Sequence, residues 1–197
     1  MKFKNNSIIL FLIVFFGACA TQENYLIKNI NFDGYKSLNI DSSSLIIDQK
    51  YNINITHPFI DHLVKQNLIL LLSSWAEARL QPLEVNNPGA LKVIIHTASI
   101  KALPISQNAK IEDLFVSNAA VNIEMNLDIT IELLNENGNQ ISYVDVKIFK
   151  SKELADNISL LEKDYIIQEM SKTLIKDFDS LAINKLKEIF YKRILPN

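Results

Sequence analysis

Cysteine, glycine and proline are scarce in this sequence, and each scarcity excludes a class of protein. The chain of 197 residues has one cysteine, four glycines and five prolines. A single cysteine excludes an internal disulfide and any zinc site built from several cysteines. So few glycines and prolines exclude collagen-like and low-complexity chains. The length fits one domain preceded by a leader.

Catalytic signatures are missing as well. The sequence contains no G-x-S-x-G elbow, no P-loop, no G-x-G-x-x-G fingerprint and no H-E-x-x-H. Its three histidines, His57, His62 and His96, lack the spacing of metal ligands, and a structural role is expected for each. We therefore predict that the protein is not an enzyme and binds no metal or other cofactor.

Positive charge is not in excess. The formal net charge is −2, and it becomes −4 if residues 1–18, which contain Lys2 and Lys4, are removed. Binding to nucleic acid needs clustered positive charge, so no nucleic-acid partner is predicted.

The only cysteine, Cys19, follows a short apolar run near the start of the chain. Lys2 and Lys4 precede this run at 8–16, and Gly17 and Ala18 separate it from the cysteine. A positive segment, an apolar core and small residues are the layout of a secretory signal. The run is too short to span a bilayer, which needs about 20 apolar residues.

The sequence Phe16-Gly17-Ala18-Cys19 resembles the lipobox of bacterial lipoproteins, with Phe16 where leucine is usual. The resemblance implies that a signal peptidase recognises residues 16–18 and that Cys19 becomes the first mature residue, carrying diacylglycerol and palmitate. Several acyl chains anchor a protein stably, whereas one is marginal. An ordinary cleaved signal followed by a buried cysteine is the alternative.

The domain organisation follows from this interpretation. Residues 1–18 are the predicted signal peptide, 19–24 a lipidated tether and 25–197 a single domain. A six-residue tether spans at most about 20 Å, so we expect the domain to lie close to the membrane. In enterobacterial lipoproteins an aspartate directly after the cysteine favours the inner membrane. Ala20 stands there instead, and the resemblance therefore implies a periplasm-facing anchor in the outer membrane.

Hydrophobic periodicity predicts five strands and two helices. The alternation is clearest at 122–133, and Asn137-Gly138 predicts a hairpin after it. Ser159 and Glu162 form a capping box before a long helix. The predicted elements are strands at 25–32, 44–55, 91–100, 122–133 and 141–149 and helices at 58–80 and 160–191.

These elements predict an α+β fold in the order β-β-α-β-β-β-α. Its mostly antiparallel sheet has about five strands, with two long helices packed on one face. The apolar centre of the first helix, "LILLL", is broader than one stripe, and burial is favoured over contact with a membrane. Trp75 on the same helix is expected to lie in the core.

Two groups of residues remain as candidates for a function. Glu124, Asp128 and Glu132 share a strand face, but their spacing is too wide for paired acid–base chemistry. An apolar group in the connection before this strand is a candidate contact with a membrane or a partner. Its residues are Ile111, Leu114, Phe115 and Val116.

A second resemblance covers most of residues 50–190. These residues resemble alphaproteobacterial lipoproteins that have no known activity. The resemblance rests on the block Trp75-Ala76 and Arg79-Leu80, the following strand with "TASI" and the long helix at 160–191. The layout is also similar to small lipoproteins that assist lipid-transport ABC systems and the lipopolysaccharide translocon.

We predict a non-catalytic, lipid-anchored envelope protein that binds another envelope component through an exposed sheet face or an uncovered edge strand. The alternative is a module for periplasmic lipid handling, with a lipid or other amphiphile held between helices and sheet. The broad apolar helix and Trp75 suggest this alternative.

Overall fold

The computed structural model describes residues 28–105 and 120–196. Within them the chain forms six strands and two helices. In chain order these are β1 (Leu38–Ile40), β2 (Ser44–Gln49), α1 (Leu68–Arg79), β3 (Leu80–Pro82), β4 (Ala90–Pro104), β5 (Val121–Leu134), β6 (Gln140–Leu154) and α2 (Leu160–Ile189).

The strands form two sheets, so the α+β class is confirmed but the predicted sheet is only partly matched. A four-stranded sheet has the order β2-β4-β5-β6, in which β2 is parallel to β4 and the other pairs are antiparallel. A separate two-stranded sheet pairs β1 with β3 in parallel. Neither β1 nor β3 was predicted as a strand, and the prediction missed both parallel pairs, which are connected through α1.

A bulge in β4, one of the two inner strands of the four-stranded sheet, keeps most of its buried apolar side chains on one side. The register with β5 shifts between Ile95 and Thr97, and His96 between them is exposed. Leu91, Val93 and Ile95 are buried before the bulge, and Ala98, Ile100 and Ala102 are buried after it. The extra residue therefore changes the phase of the alternation once.

The predicted strand and hairpin around Gly138 are confirmed. Every second residue of β5 from Val121 to Leu133 is buried, and the residues between them are partly or fully exposed. Gly138 adopts a φ of +76° in the turn, a backbone conformation that glycine accommodates without strain. β6 returns antiparallel to β5.

Helix α2 begins where the capping box predicts. The Ser159 side chain accepts a hydrogen bond from the Glu162 backbone N–H at 3.2 Å. The other helix starts later than predicted, at Leu68 rather than at Pro58, and Asn67 caps it by accepting from the Leu70 N–H at 2.9 Å. Residues 58–66 are irregular.

The segment that was predicted as the start of the helix instead lies along the edge of β4. Its backbone exchanges hydrogen bonds with β4, from the Ile60 N–H to the Ile100 carbonyl and from the Ala102 N–H to the Pro58 carbonyl. Asp61 is buried and accepts from the Ile100 N–H at 2.6 Å and from the Tyr51 hydroxyl at 2.9 Å. Burial raises the pKa of the Asp61 carboxyl above its usual value.

The first two predicted strands are also shorter or absent in the described residues. Residues 28–32 form no strand, and the backbone N–H and carbonyl of Ile30 bond the Gln66 side chain at 2.7 and 3.1 Å instead of a strand. The second strand ends at Gln49, where the Lys50 and Tyr51 N–H groups both turn to the Ile95 carbonyl.

The helices meet on one side of the four-stranded sheet, as predicted, around the buried Trp75. Its indole lies edge-on to Phe178 with ring centroids 4.7 Å apart, and its Nε1 donates to Asp179 at 2.8 Å. Arg79 bonds the same carboxylate with its Nε at 2.6 Å. Trp75 is therefore a core residue that joins α1 to α2, as the sequence predicted.

A buried carboxylate, Asp41, joins three parts of the chain that are far apart in sequence. Its Oδ1 accepts from the N–H groups of residues 85, 86 and 87 at 2.9–3.0 Å, and its Oδ2 accepts from Arg193 at 3.1 Å. Gly89 lies beside this loop, where a Cβ would come within 2.1 Å of the Leu134 carbonyl oxygen. Burial raises the pKa of the Asp41 carboxyl, but these donors outweigh burial and hold the pKa below the usual value of 3.8.

An Asp41→Asn substitution should lower the free energy of unfolding by about 1.5–3 kcal/mol at pH 7, because the buried N–H groups and Arg193 lose a charged acceptor. A carboxyl whose pKa is lower in the folded than in the unfolded state stabilises the fold at pH values above its unfolded pKa. This stabilisation is lost as the pH falls. The deficit of the variant should therefore shrink below about pH 4, in line with the ordinary value of 3.8.

Urea unfolding curves between neutral and acidic pH measure this effect. The exposed Asp156→Asn serves as the control and should change stability little at any pH. A deficit for Asp41→Asn that does not vary with pH would show that the charge of Asp41 does not stabilise the fold.

Candidate binding surface

The face of the four-stranded sheet that points away from the helices carries mostly polar side chains, and we call it the open face. Asn122, Glu124, Asn126, Asp128, Thr130 and Glu132 project from β5 on this side. In register beside them lie β4 and β6, whose residues on this side are mostly exposed or partly exposed.

Ion pairs across the strands fix much of this surface. Lys147 on β6 bonds Asp128 on β5 at 2.8 Å, and this hydrogen bond raises the pKa of the lysine. Lys92 on β4 bonds Asp48 on β2 at 3.0 Å. Hydrogen bonds from Lys92 and Lys50 lower the pKa of the Asp48 carboxyl. Two cross-strand ion pairs therefore order part of the open face.

The predicted row of carboxylates does lie on the open face. Asp128 is bonded to Lys147, while Glu124 and Glu132 stand to either side of it along β5. Among residues 28–105 and 120–196, no three histidine, cysteine, aspartate or glutamate side chains are grouped to hold a metal ion.

A chain of hydrogen bonds joins His96, Thr130 and Asp145 on the open face. The Thr130 hydroxyl donates to Asp145 at 2.6 Å and lies 3.0 Å from the His96 Nε2. A hydroxyl has one proton, so His96 must be the donor in the second bond. A histidine that activates a nucleophile accepts the hydroxyl proton instead, so this geometry does not activate Thr130.

Among the residues that the structure describes, no strand pairs with one edge of the outer strand β6. The Asp145 carbonyl, directed away from β5, accepts from Lys185 of α2 at 2.8 Å. Since backbone groups alternate along a strand, those of residues 143, 147 and 149 also point away from β5. We call this side of β6 the free edge.

Two aromatic side chains are exposed on β6. Tyr143 is 51% exposed and Phe149 is 60% exposed. Both belong to the set of alternate residues whose side chains lie on the open face. A groove of about 580 Å³ follows the start of β6 and is lined by Ile141, Tyr143, Lys185 and Ile189, among others.

Among the described residues, little space is left between the helices and the sheet. Trp75 and Phe178 are fully buried there, and the indole N–H is already bonded to Asp179. A small cavity between β4, β5 and α2 holds about 20 Å³, which is about the volume needed for one water. Burial beside this cavity raises the pKa of Asp164. These contacts do not favour an amphiphile held between helices and sheet.

The other predicted site residues lie outside the described residues. These are Phe16, Gly17, Ala18 and Cys19 of the lipobox and Ile111, Leu114, Phe115 and Val116 of the apolar connection. Sequence reasoning missed the exposed pair on β6, although the alternation of "ISYVDVKIF" places Tyr143 and Phe149 on one face. Neither helix among the described residues is long and apolar enough to cross a membrane.

A Phe149→Ser substitution should change the free energy of unfolding by less than about 0.5 kcal/mol, because an exposed side chain leaves no cavity. Ile129→Ala, in the middle of β5 and fully buried, should cost about 2–5 kcal/mol. Denaturant unfolding at low protein concentration compares the two. A loss for Phe149→Ser as large as that for Ile129→Ala would mean that Phe149 belongs to the core and not to a binding surface.

Comparisons with known proteins give limited likenesses. No protein-family model and no curated protein matches the chain. One similar solved structure is a minor lipoprotein from Acinetobacter baumannii, with 9% identity, coverage of 79% of this chain and 97% of the other, and a TM-score of 0.42. Another is a neuraminyllactose-binding hemagglutinin homologue from Helicobacter pylori, with 13% identity, coverage of 81% and 96%, and a TM-score of 0.29. TM-scores this low do not establish a shared fold, and neither likeness assigns a function to this chain.

Proposed function

We propose that the protein is a non-catalytic, lipid-anchored envelope protein whose open face binds another envelope protein. The observation that carries the binding role is the exposure of Tyr143 and Phe149 on a sheet face that two cross-strand ion pairs help to order. Aromatic side chains are enriched at protein interfaces, and large exposed ones set among polar groups are typical of contact sites.

The polar part of the open face supports the same role. Asp128 with Lys147, and His96 with Thr130 and Asp145, are held by bonds within the sheet before any partner arrives. A surface whose side chains are already ordered loses less conformational entropy on binding.

The lipid anchor rests on the lipobox at Cys19. Nine residues, 19–27, separate the proposed lipid from the first described residue, Lys28. Such a segment spans at most about 30 Å. The Lys28 carbonyl accepts a hydrogen bond from Gln168 of α2, so the chain enters the domain beside that helix. The anchor would hold the domain near the membrane, and Ala20 favours the outer membrane.

In the full-length protein, Cys19→Ser should abolish lipidation, because serine has no thiol to receive the diacylglycerol group. The wild type should gain the mass of the acyl chains and pellet with the outer membrane, and the variant should do neither. Intact mass spectrometry and membrane fractionation measure both properties. If the two proteins fractionate alike and the wild type carries no lipid mass, the anchor is wrong.

A photoreactive benzoylphenylalanine in place of Asn126, an exposed residue of β5 on the open face, should capture a second protein in cells. The same residue in place of Lys172, which is exposed on α2, is the matched control and should not give this product. Mass spectrometry of the cross-linked product identifies the partner. Capture of nothing, or of this chain alone, from position 126 would contradict binding of another protein by the open face.

A further inference from the structure

We propose that the free edge of β6 pairs antiparallel with β6 of a second copy, about a two-fold axis at Val146. The two four-stranded sheets would then form one continuous sheet of eight strands. This inference goes beyond the proposed function, because it concerns a contact between copies of the chain and not the partner on the open face.

The free edge has the backbone groups that such pairing needs. β6 is 15 residues long, and its alternate N–H and carbonyl groups from residue 143 to residue 149 point away from β5. Lys185 bonds the Asp145 carbonyl with a flexible side chain. That ammonium can move aside when a backbone N–H of the second copy takes its place. An unpaired strand of this length is a template for pairing with another strand.

The side chains of β6 select one register. With the two-fold axis at Val146, Asp145 faces Lys147 of the second copy and Tyr143 faces its Phe149, and symmetry repeats each pair. Residues 145 and 147 then exchange backbone hydrogen bonds, as their direction away from β5 requires. Opposite charges and aromatic side chains facing each other across strands both stabilise antiparallel pairs.

Neighbouring registers lack these pairs. An axis at Asp145 sets two aspartates against each other, and an axis at Lys147 sets two lysines against each other. An axis at Val144 sets Tyr143 against Asp145, and one at Ile148 sets Lys147 against Phe149. Charged residues on an edge strand usually prevent indiscriminate pairing, and here the same charges would permit a single register.

Helix α2 supplies an independent observation. Asp177 bonds Lys150 at 2.7 Å, and Lys185 bonds the Asp145 carbonyl, so the helix runs along the free edge. Leu181 and Ile189 lie at four-residue spacing with these residues, on the same side of the helix. They are 37% and 44% exposed. In the proposed dimer this side of α2 would face its counterpart, which would cover both apolar side chains.

The two charges at the axis allow a complementary test. Asp145→Lys places lysines opposite each other in its own dimer, and Lys147→Glu places acidic residues opposite each other. In a mixed dimer of the two variants, the introduced lysine faces the introduced glutamate, and the unchanged Lys147 of one chain faces the unchanged Asp145 of the other. Both attractions are then restored. Each variant alone should be monomeric, and their mixture should form the heterodimer.

Sedimentation of the full chain in detergent, with differently tagged variants, measures these states. The wild type should be a dimer, and Lys147→Ala should weaken it by about 2–30-fold in dissociation constant. Lys147→Pro, which also removes an N–H from the free edge, should be monomeric while its thermal unfolding shows a folded domain. A monomeric wild type, single charge variants that stay dimeric, or a mixture without heterodimer would each overturn the proposal.

Discussion

The bulge at His96 in β4 is the constraint on which the rest of the structure depends. β4 is one of the two inner strands, and it presents apolar side chains to the helices both before and after the bulge while it has neighbours on both sides. The extra residue shifts the side chains and the backbone groups together. Before it, the edge of β4 pairs with β2, and after it, Ile100 and Ala102 turn their backbone groups to the irregular segment that contains Asp61.

Much of the fold was predictable wherever the signal is local. The alternation of β5 and the cap at Ser159 depend on residues within a few positions of each other, and both predictions were confirmed. The predicted start of α1 was wrong. Pro58 and Asp61 favour a helix locally, but in the folded chain they bond to residues of β4 about 40 positions away. Periodicity carries no information on a partner so distant.

The candidate surface was predictable in part for the same reason. The alternation of β6 places Tyr143 and Phe149 together, but it cannot show that β6 is an outer strand. The burial of Asp41 is harder still to predict, since an acidic residue between two short strands is usually exposed. It is buried because three backbone N–H groups and Arg193 converge on it, and only the folded chain brings them together.

The contact of β1 with the segment 193–196 also has a consequence for the order of events during synthesis. Asn39 and Pro196 are joined by a hydrogen bond although 157 positions separate them, and Ile40 bridges Ile194. β1 leaves the ribosome, and in an exported chain crosses the membrane, long before these partners do. These contacts can form only after the residues of α2 have been made. Contacts of such long range slow folding, so this early part of the chain depends on its last residues for part of its contacts.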